Sequence, residues 1–156
     1  MKKIVVILLT IAMCAVLCAC AESKKNDAKS LSDIWTEIKT QVTLTEMNEL
    51  NEKNLDRNYG ITEDMAEEFA GGINSSGTNQ EEIILIKATS EENAAKIKGL
   101  LDTRYTSKLS QNKNYNAEQA KMIERCKVEK NGLYVSMIVS ENADKITSIF
   151  KDGTGI

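Results

Sequence analysis

The sequence predicts an α+β fold, in which N-terminal helices precede a β-α-β-β-α unit. Residues 83–86 form a continuous apolar run of strand length, and Asn131-Gly132 is a preferred pair for a two-residue hairpin turn. Residues 92–97 resemble residues 141–146, and each segment follows an apolar strand, which indicates two β-then-α units on a shared sheet. A chain of 156 residues has room for one domain of ordinary size. We therefore predict a single domain over residues 30–156, with a small mixed sheet that contains the Asn-Gly hairpin.

The first predicted helix begins at Ser30. Asp33 lies three residues later, in the position of a capping partner for a helix start. The apolar residues that follow share one face of a helix, which predicts that this helix packs on the core. These residues are Leu31, Ile34, Trp35, Ile38 and Val42.

Two further helices are predicted before the first strand. Gly60 suits the end of the second helix, because glycine readily takes the left-handed conformation found there. A third, short helix is predicted after it, in which Met65 and Phe69 lie four residues apart. Gly71-Gly72 would end this helix, and a polar loop would follow over residues 73–80.

A buried strand and a helix are predicted in the middle of the chain. Glu82–Ala88 contains the apolar run, which suits a strand that is covered on both faces. Thr89 and Glu92 have the spacing of a capping box, so the helix is predicted to begin there. A polar break over residues 111–116 would end it. The residues predicted to face inward are Ala94, Ile97, Leu101 and Tyr105.

The Asn131-Gly132 turn also predicts a strand register. A two-residue loop at this pair places Val128 opposite Val135 and Cys126 opposite Met137. These side chains would share the core face of the hairpin, while the other face of its first strand would lie largely in water.

The N-terminal residues have the features of a secretory signal. A short positively charged start precedes residues 4–17, which are uncharged and mostly apolar. The four residues Leu17-Cys18-Ala19-Cys20 resemble the bacterial lipobox. This resemblance implies that Cys20 receives lipid and becomes the first residue of the mature chain. We therefore predict a lipoprotein signal peptide over residues 1–19 and a lipid-anchored flexible tether over residues 20–29.

An uncleaved transmembrane helix is the alternative for this segment. Residues 4–21 are uncharged and just reach the length at which a span becomes feasible. A span would explain neither the small residues at the end of the segment nor the cysteine among them. The lipoprotein interpretation is therefore preferred, and it places the domain at the outer face of the cytoplasmic membrane.

Removal of the signal peptide changes both the cysteine count and the charge. Two of the four cysteines would leave with it and Cys20 would carry lipid, so Cys126 has no partner for an intramolecular disulfide. Lys2 and Lys3 also leave, so 18 basic and 23 acidic side chains remain, a formal charge of −5. This acidic balance lacks the electrostatic footprint of a nucleic-acid-binding protein, so no nucleic-acid partner is predicted.

The sequence offers few groups for catalysis or metal binding. It has no histidine to act as a base for Cys126, whose predicted position toward the core favours an inert thiol. The pairs Glu63–Glu67 and Asp64–Glu68 would lie on the predicted short helix, which suits either a divalent-cation site or a solvated helix face. The solvated face is the preferred interpretation, so we predict no catalytic residue, no metal site and no cofactor.

Several segments carry a resemblance to a known family. They are Tyr59-Gly60-Ile61, Glu82–Ala88, Val128-Glu129-Lys130 leading into Tyr134-Val135, and Val139–Ile146. With them, the chain from Ser30 to Phe150 resembles a family of bacterial lipoproteins catalogued as domain of unknown function 4358. The resemblance implies a secreted lipoprotein of Gram-positive anaerobes with a small α+β domain. It implies no activity and no catalytic residues.

Two functions remain open at this point. The first is a non-catalytic binding or adaptor module of the cell envelope, held at the membrane through lipid on Cys20, that binds an envelope protein or a small ligand. The second is a carboxylate-dependent hydrolase of wall polymers, which would need two acids converging in a cleft, one with a raised pKa. The identity of the ligand, the oligomeric state and the biological process stay open.

Overall fold

Helices and strands alternate over residues 28–156, which are the residues that the computed structural model describes. The helices are α1 (Leu31–Gln41), α2 (Glu52–Tyr59), α3 (Glu91–Tyr115), α4 (Ala117–Glu124) and α5 (Ala143–Thr154). The strands are β1 (Met47–Glu49), β2 (Ala66–Asn74), β3 (Glu82–Ala88), β4 (Lys127–Asn131) and β5 (Tyr134–Val139). The strands form one sheet in the order β1-β2-β3-β5-β4.

The sheet is the middle layer of three. Helices α1 and α5 cover one face, because the alternate side chains Ile83 and Leu85 of β3 pack into the same cluster as theirs. Helices α2, α3 and α4 cover the other face, where Ile84 and Ile86 point. This arrangement confirms the α+β class and the burial of β3 on both sides. The C-terminal part follows the predicted β-α-β-β-α order, with α4 as a second helix before β4.

Each strand pairs antiparallel with its neighbours, so the expectation of a mixed sheet was wrong. The expectation came from the two β-then-α units, since a helical connection usually leads to a parallel strand. Helices α3 and α4 do lead from β3 to β4, and these two strands run in the same direction. However, β5 lies between β3 and β4 and pairs with both, so no two neighbours in the sheet are parallel.

The predicted third helix is instead strand β2. The spacing of Met65 and Phe69 suggested a helix, but this segment pairs with the apolar strand β3, with Ala70 opposite Leu85. Gly71 does not end a helix. It has φ +135°, and a Cβ at this position would lie 2.0 Å from the Ile83 carbonyl oxygen. A glycine is therefore required here because the two backbones approach so closely.

Helix α1 begins where the sequence predicts, whereas the cap of α3 lies one residue later than predicted. Ser30 caps α1 and its side chain accepts from the Asp33 amide at 3.1 Å, as predicted. The cap of α3 is Ser90, so the predicted capping box was wrong by one residue. Thr89 instead donates its hydroxyl to the Asp64 carbonyl oxygen at 2.8 Å, which ties the helix start to the segment before β2. Helix α3 also continues to Tyr115, through the predicted polar break.

The hairpin forms where the sequence placed it, with a different register. The turn residues are Gly132 and Leu133, so Val128 lies opposite Met137 rather than Val135, and Cys126 precedes the first strand. Gly132 has φ +55°, and a glycine at the first turn position suits a type II′ turn. The Leu133 carbonyl oxygen accepts from the amide of the last residue of β3 at 2.9 Å, which holds the turn in this position.

The predicted signal peptide, the lipidation site Cys20 and most of the tether lie outside the described residues. Lys29 is described, and its backbone amide donates to the Gly153 carbonyl oxygen at 2.8 Å while its ammonium group pairs with Glu37. Within residues 28–156, none of the helices is both long enough and apolar enough to span a bilayer.

Candidate functional site

Glu82 is a charged residue at the start of the central strand and is fully buried. Its Oε1 accepts from the Tyr59 hydroxyl at 2.8 Å and from Arg104 Nε at 2.9 Å. Its Oε2 accepts from Arg104 at 2.9 Å and from Lys108 Nζ at 2.9 Å. We call these four residues the Glu82 cluster. Both carboxylate oxygens are engaged by two donors each, as a buried charge requires.

The charges of the Glu82 cluster shift the pKa of each member. Burial raises the pKa of Glu82, but the hydrogen bonds and charges of Arg104 and Lys108 outweigh burial, so its pKa lies below the ordinary value. Burial lowers the pKa of Lys108, and the repulsion of Arg104 adds to this effect, so the Glu82 carboxylate offsets it only in part. Burial and the Glu82 charge raise the pKa of Tyr59, so its hydroxyl stays protonated and donates.

Helix α3 positions the two cations of the cluster. Arg104 and Lys108 are four residues apart and continue the inward stripe that Ala94, Ile97 and Leu101 begin. The sequence reasoning missed this cluster, although the stripe was a usable signal. A helical face that continues from apolar residues into Arg104 and Lys108 indicates cations that face inward, and such cations need a buried acid.

Two further buried groups have partners inside the domain. Glu81 is 8% exposed, and the Ser140 hydroxyl donates to its carboxylate at 2.6 Å. Cys126 is buried as predicted, and its thiol donates to the Met122 carbonyl oxygen at 3.2 Å. Burial raises the pKa of Cys126, so the thiol stays protonated and is a poor nucleophile.

A groove of about 320 Å³ opens between the β2–β3 loop and the C-terminal end of α3. We call it the amide groove, because four of its lining side chains are Asn or Gln. Tyr115 stands at its edge with 89% of its surface exposed, whereas Asn112 is only 7% exposed. The lining residues are Gly77, Thr78, Gln80, Gln111, Asn112, Tyr115 and Asn116.

Lys108 of the Glu82 cluster contacts Gln80, which lines the amide groove. Its ammonium donates to the backbone oxygen and to the side-chain Oε1 of Gln80, each at 3.1 Å. The backbone amide of Gln80 donates to Gln119 Oε1 at 2.8 Å. The Asn112 side chain donates from Nδ2 to the Lys108 carbonyl oxygen at 2.8 Å. The floor of the groove is therefore held in place by the cluster beneath it.

A larger groove of about 590 Å³ lies beside α2 and is mostly acidic. We call it the acidic groove, and its lining residues are Glu52, Lys53, Asp56, Thr62, Glu63 and Asp64. A hydrogen bond with Glu52 and the repulsion of its charge raise the pKa of Glu63, and both side chains are in water.

The four acids that the sequence grouped do not stay together. Glu63 and Asp64 line the acidic groove, whereas Glu67 pairs with Lys87 at 2.8 Å and Glu68 accepts from the Leu31 amide at 2.9 Å. The predicted pairs Glu63–Glu67 and Asp64–Glu68 were wrong because this segment is a strand rather than a helix. Among residues 28–156, no group of three or more acidic or cysteine side chains could hold a metal ion.

The fold and these sites define a small antiparallel α+β domain with a buried ion cluster and grooves at its surface. The family model for a domain of unknown function 4358 matches residues 40–140, well over half of the chain, so the chain belongs to this family. The match includes the Glu82 cluster, the amide groove and the acidic groove. No curated protein and no solved structure shows significant similarity to the chain.

Proposed function

We propose that this protein is a lipoprotein of the cell envelope, anchored through Cys20 at the outer face of the cytoplasmic membrane. Its domain would bind a component of the envelope without catalysing a reaction. The observation that carries the anchor is the sequence Leu17-Cys18-Ala19-Cys20 after a positively charged start and an apolar run. Two acyl chains suffice for stable anchoring, because each buried methylene contributes about 0.8 kcal/mol.

Metabolic labelling tests the anchor. The full chain is expressed in a Gram-positive host that is fed an alkyne analogue of palmitate, and lipidated protein is detected after coupling to a fluorophore. We expect Cys20→Ser to abolish the label and the matched control Cys18→Ser to retain it. A label that survives Cys20→Ser would contradict this anchor.

The domain itself supports binding rather than catalysis. Its buried ionisable groups are already engaged by neighbours in the fold: Glu82 by four donors, and Glu81 by Ser140. The thiol of Cys126 is protonated and buried. Groups that are saturated in this way stabilise the domain and are not free to take a proton from a substrate. The open, polar surface that remains is suited to binding a ligand.

The hydrolase alternative would use the acidic groove. Its favouring observation is the pair Glu52 and Glu63, in which one carboxyl group has a raised pKa. Both side chains are in water, and the shift comes from the neighbouring carboxylate rather than from a low-dielectric site. This does not meet the requirement for a general acid, and we therefore favour binding.

A digestion assay separates the two functions. Purified full chain in detergent is incubated with cell-wall glycan, and the release of reducing sugar ends is measured over time. We expect no release above buffer, both for the wild type and for Glu63→Gln. Release by the wild type that Glu63→Gln abolishes would establish the hydrolase and overturn the binding proposal.

A further inference from the structure

We propose that the amide groove is a carbohydrate-binding site, in which Tyr115 stacks on a sugar ring and the surrounding amides bind its hydroxyl groups. This inference deepens the proposed function, since it names the chemical class of the ligand. It rests on the proposed anchor only for the cellular location at which the ligand is bound. The groove itself lies within the described domain and does not depend on the anchor.

The lining of the amide groove carries no charge. All seven lining residues are neutral, although 28% of the residues of the chain are charged. The neighbouring grooves differ, since charged side chains such as Glu63, Arg57, Arg104 and Asp102 line them. A neutral lining offers no ion pair to a phosphate, a carboxylate or an amine. It favours an uncharged ligand that is recognised by hydrogen bonds and contact area.

Tyr115 supplies a flat apolar surface at the edge of this groove. It is the large hydrophobic side chain that stands exposed among the described residues, and it is the last residue of α3. The face of an aromatic ring carries partial negative charge and attracts weakly positive C–H groups. The C–H face of a pyranose ring offers such groups over a flat area of similar size. Stacking on Tyr115 would remove both surfaces from water.

Asn112 supplies a largely buried polar side chain to the lining of the groove. Its Nδ2 is used by the Lys108 carbonyl oxygen, and within residues 28–156 its Oδ1 accepts no hydrogen bond. Every fully buried side-chain oxygen or nitrogen of these residues has a partner, so this Oδ1 keeps some accessible surface, and Asn112 is among the residues that line the groove. A sugar hydroxyl can donate to this Oδ1. Little side-chain entropy would be lost on binding, because the fold already holds Asn112 in place.

Gln80 adds a donor whose position is fixed. Its Oε1 and its backbone oxygen accept from Lys108, and its backbone amide donates to Gln119, so the side chain is oriented with Nε2 left to donate. Asn112 and Gln80 therefore present one acceptor and one donor on the same floor. A hydroxyl group is both a donor and an acceptor, so a ligand with several hydroxyl groups matches this arrangement. Preorganised polar groups of this kind favour binding, because little side-chain freedom is lost.

Calorimetry on the full chain in detergent tests the site. The probes are two neutral oligosaccharides, a tetramer of N-acetylglucosamine and a tetramer of glucose, so that binding of an amino sugar is distinguished from binding of a simple hexose. We expect saturable binding of at least one of them. We expect Tyr115→Ala to weaken it by about tenfold or more, since the stacking surface is lost. The conservative variant Tyr115→Phe keeps the ring and should recover most of the affinity.

A matched control lies in another groove of the same helix. Thr106 lines a groove with Asp102, and Thr106→Ala should leave the affinity within about twofold of wild type. The proposal is overturned if neither sugar binds at concentrations of about 10 mM, or if Tyr115→Ala binds as well as Thr106→Ala. The lipid label is read separately. Sugar binding without the label would contradict the anchor alone, and the label without sugar binding would contradict the groove alone.

Discussion

The Glu82 cluster and the amide groove lie side by side on α3, and they differ in how completely their polar atoms are paired. Lys108 of the cluster and Asn112 of the groove are four residues apart and are both more than nine-tenths buried. In the cluster, each oxygen of Glu82 has two donors from the same chain. In the groove, the Asn112 Oδ1 and the Gln80 Nε2 form no hydrogen bond with residues 28–156, and both residues belong to the lining.

This difference separates a stabilising role from a binding role. A saturated buried charge contributes to the fold and cannot gain much from a ligand, while its loss leaves other charges unpaired. Unsatisfied polar atoms on a rigid floor contribute little to the fold and gain hydrogen bonds when a ligand arrives. The cluster also orients Gln80 through Lys108, so the stabilising region supports the binding region.

The largest effect is expected from removing the charge of Glu82. Glu82→Gln leaves Lys108 buried without its anion, and breaking a buried ion pair in this way costs roughly 3–5 kcal/mol of unfolding free energy. Urea or guanidinium titration followed by circular dichroism measures the loss. Glu141→Gln is the matched control, because the pair of Glu141 with Arg125 is exposed and is worth at most about 1 kcal/mol. Equal losses in the two variants would contradict the role of the cluster.

The lowered pKa of Glu82 also makes the free energy of unfolding depend on pH. The pKa of Glu82 is lower in the folded chain than in the unfolded chain, where glutamate titrates near 4.3. Its contribution is therefore complete above that pH and is lost as the pH falls toward and through the folded-state pKa. We expect the wild type to lose stability steeply below about pH 4.3, and we expect a shallower slope for Glu82→Gln. Parallel slopes would show that Glu82 does not titrate as described.

Two of the four tyrosines separate stability from binding, since one lies in each region. Tyr59 lies in the cluster and Tyr115 in the groove, so Tyr59→Phe and Tyr115→Ala should have opposite effects. Tyr59→Phe removes a hydrogen bond to a buried charge and should cost about 1.5–3 kcal/mol, with sugar binding retained. Tyr115→Ala changes an exposed side chain and should alter stability by less than about 0.5 kcal/mol, with sugar binding weakened by about tenfold or more. Thermal unfolding and calorimetry on the same samples measure both properties.

The smallest expected effect is the slow reaction of Cys126, whose thiol is also hydrogen-bonded inside the fold. Its thiol donates to the Met122 carbonyl oxygen, and burial raises its pKa, so it should resist Ellman's reagent until the domain unfolds. Once the signal peptide is removed and Cys20 carries lipid, Cys126 is the thiol that remains to react with the reagent. Rapid stoichiometric reaction in the folded state would contradict its burial.

The parts of the fold that follow from local pattern could be predicted from the sequence. The apolar stripe of α1 with its Ser30 cap, the buried strand β3 and the position of the hairpin each depend on residues close together in the chain. Strand β2 was missed because the spacing of Met65 and Phe69 fits a helix, and its pairing with β3 overrode that local preference.

The sites depend on contacts that local pattern does not record. Arg104 and Lys108 reach Glu82 across more than twenty residues of sequence, so the cluster follows from how α3 packs on the sheet. The amide groove joins a predicted polar loop at residues 73–80 with a predicted polar break at residues 111–116. In the structure, the second of these continues α3 and places Asn112 and Tyr115 opposite the loop. The signal that the sequence offered for the groove was that residues 111–115 can continue the helix and place polar side chains on one of its faces.

The most direct test of this account is nuclear magnetic resonance on the isotope-labelled full chain in detergent, with a tetramer of N-acetylglucosamine or of glucose added stepwise. We predict that the signals that move belong to Tyr115 and to the side-chain amides of Gln80 and Asn112, while the Arg104 guanidinium signals of the Glu82 cluster stay in place. Shifts centred on Glu52 and Glu63 in the acidic groove, or no shifts with either sugar, would contradict the assignment of binding to the amide groove.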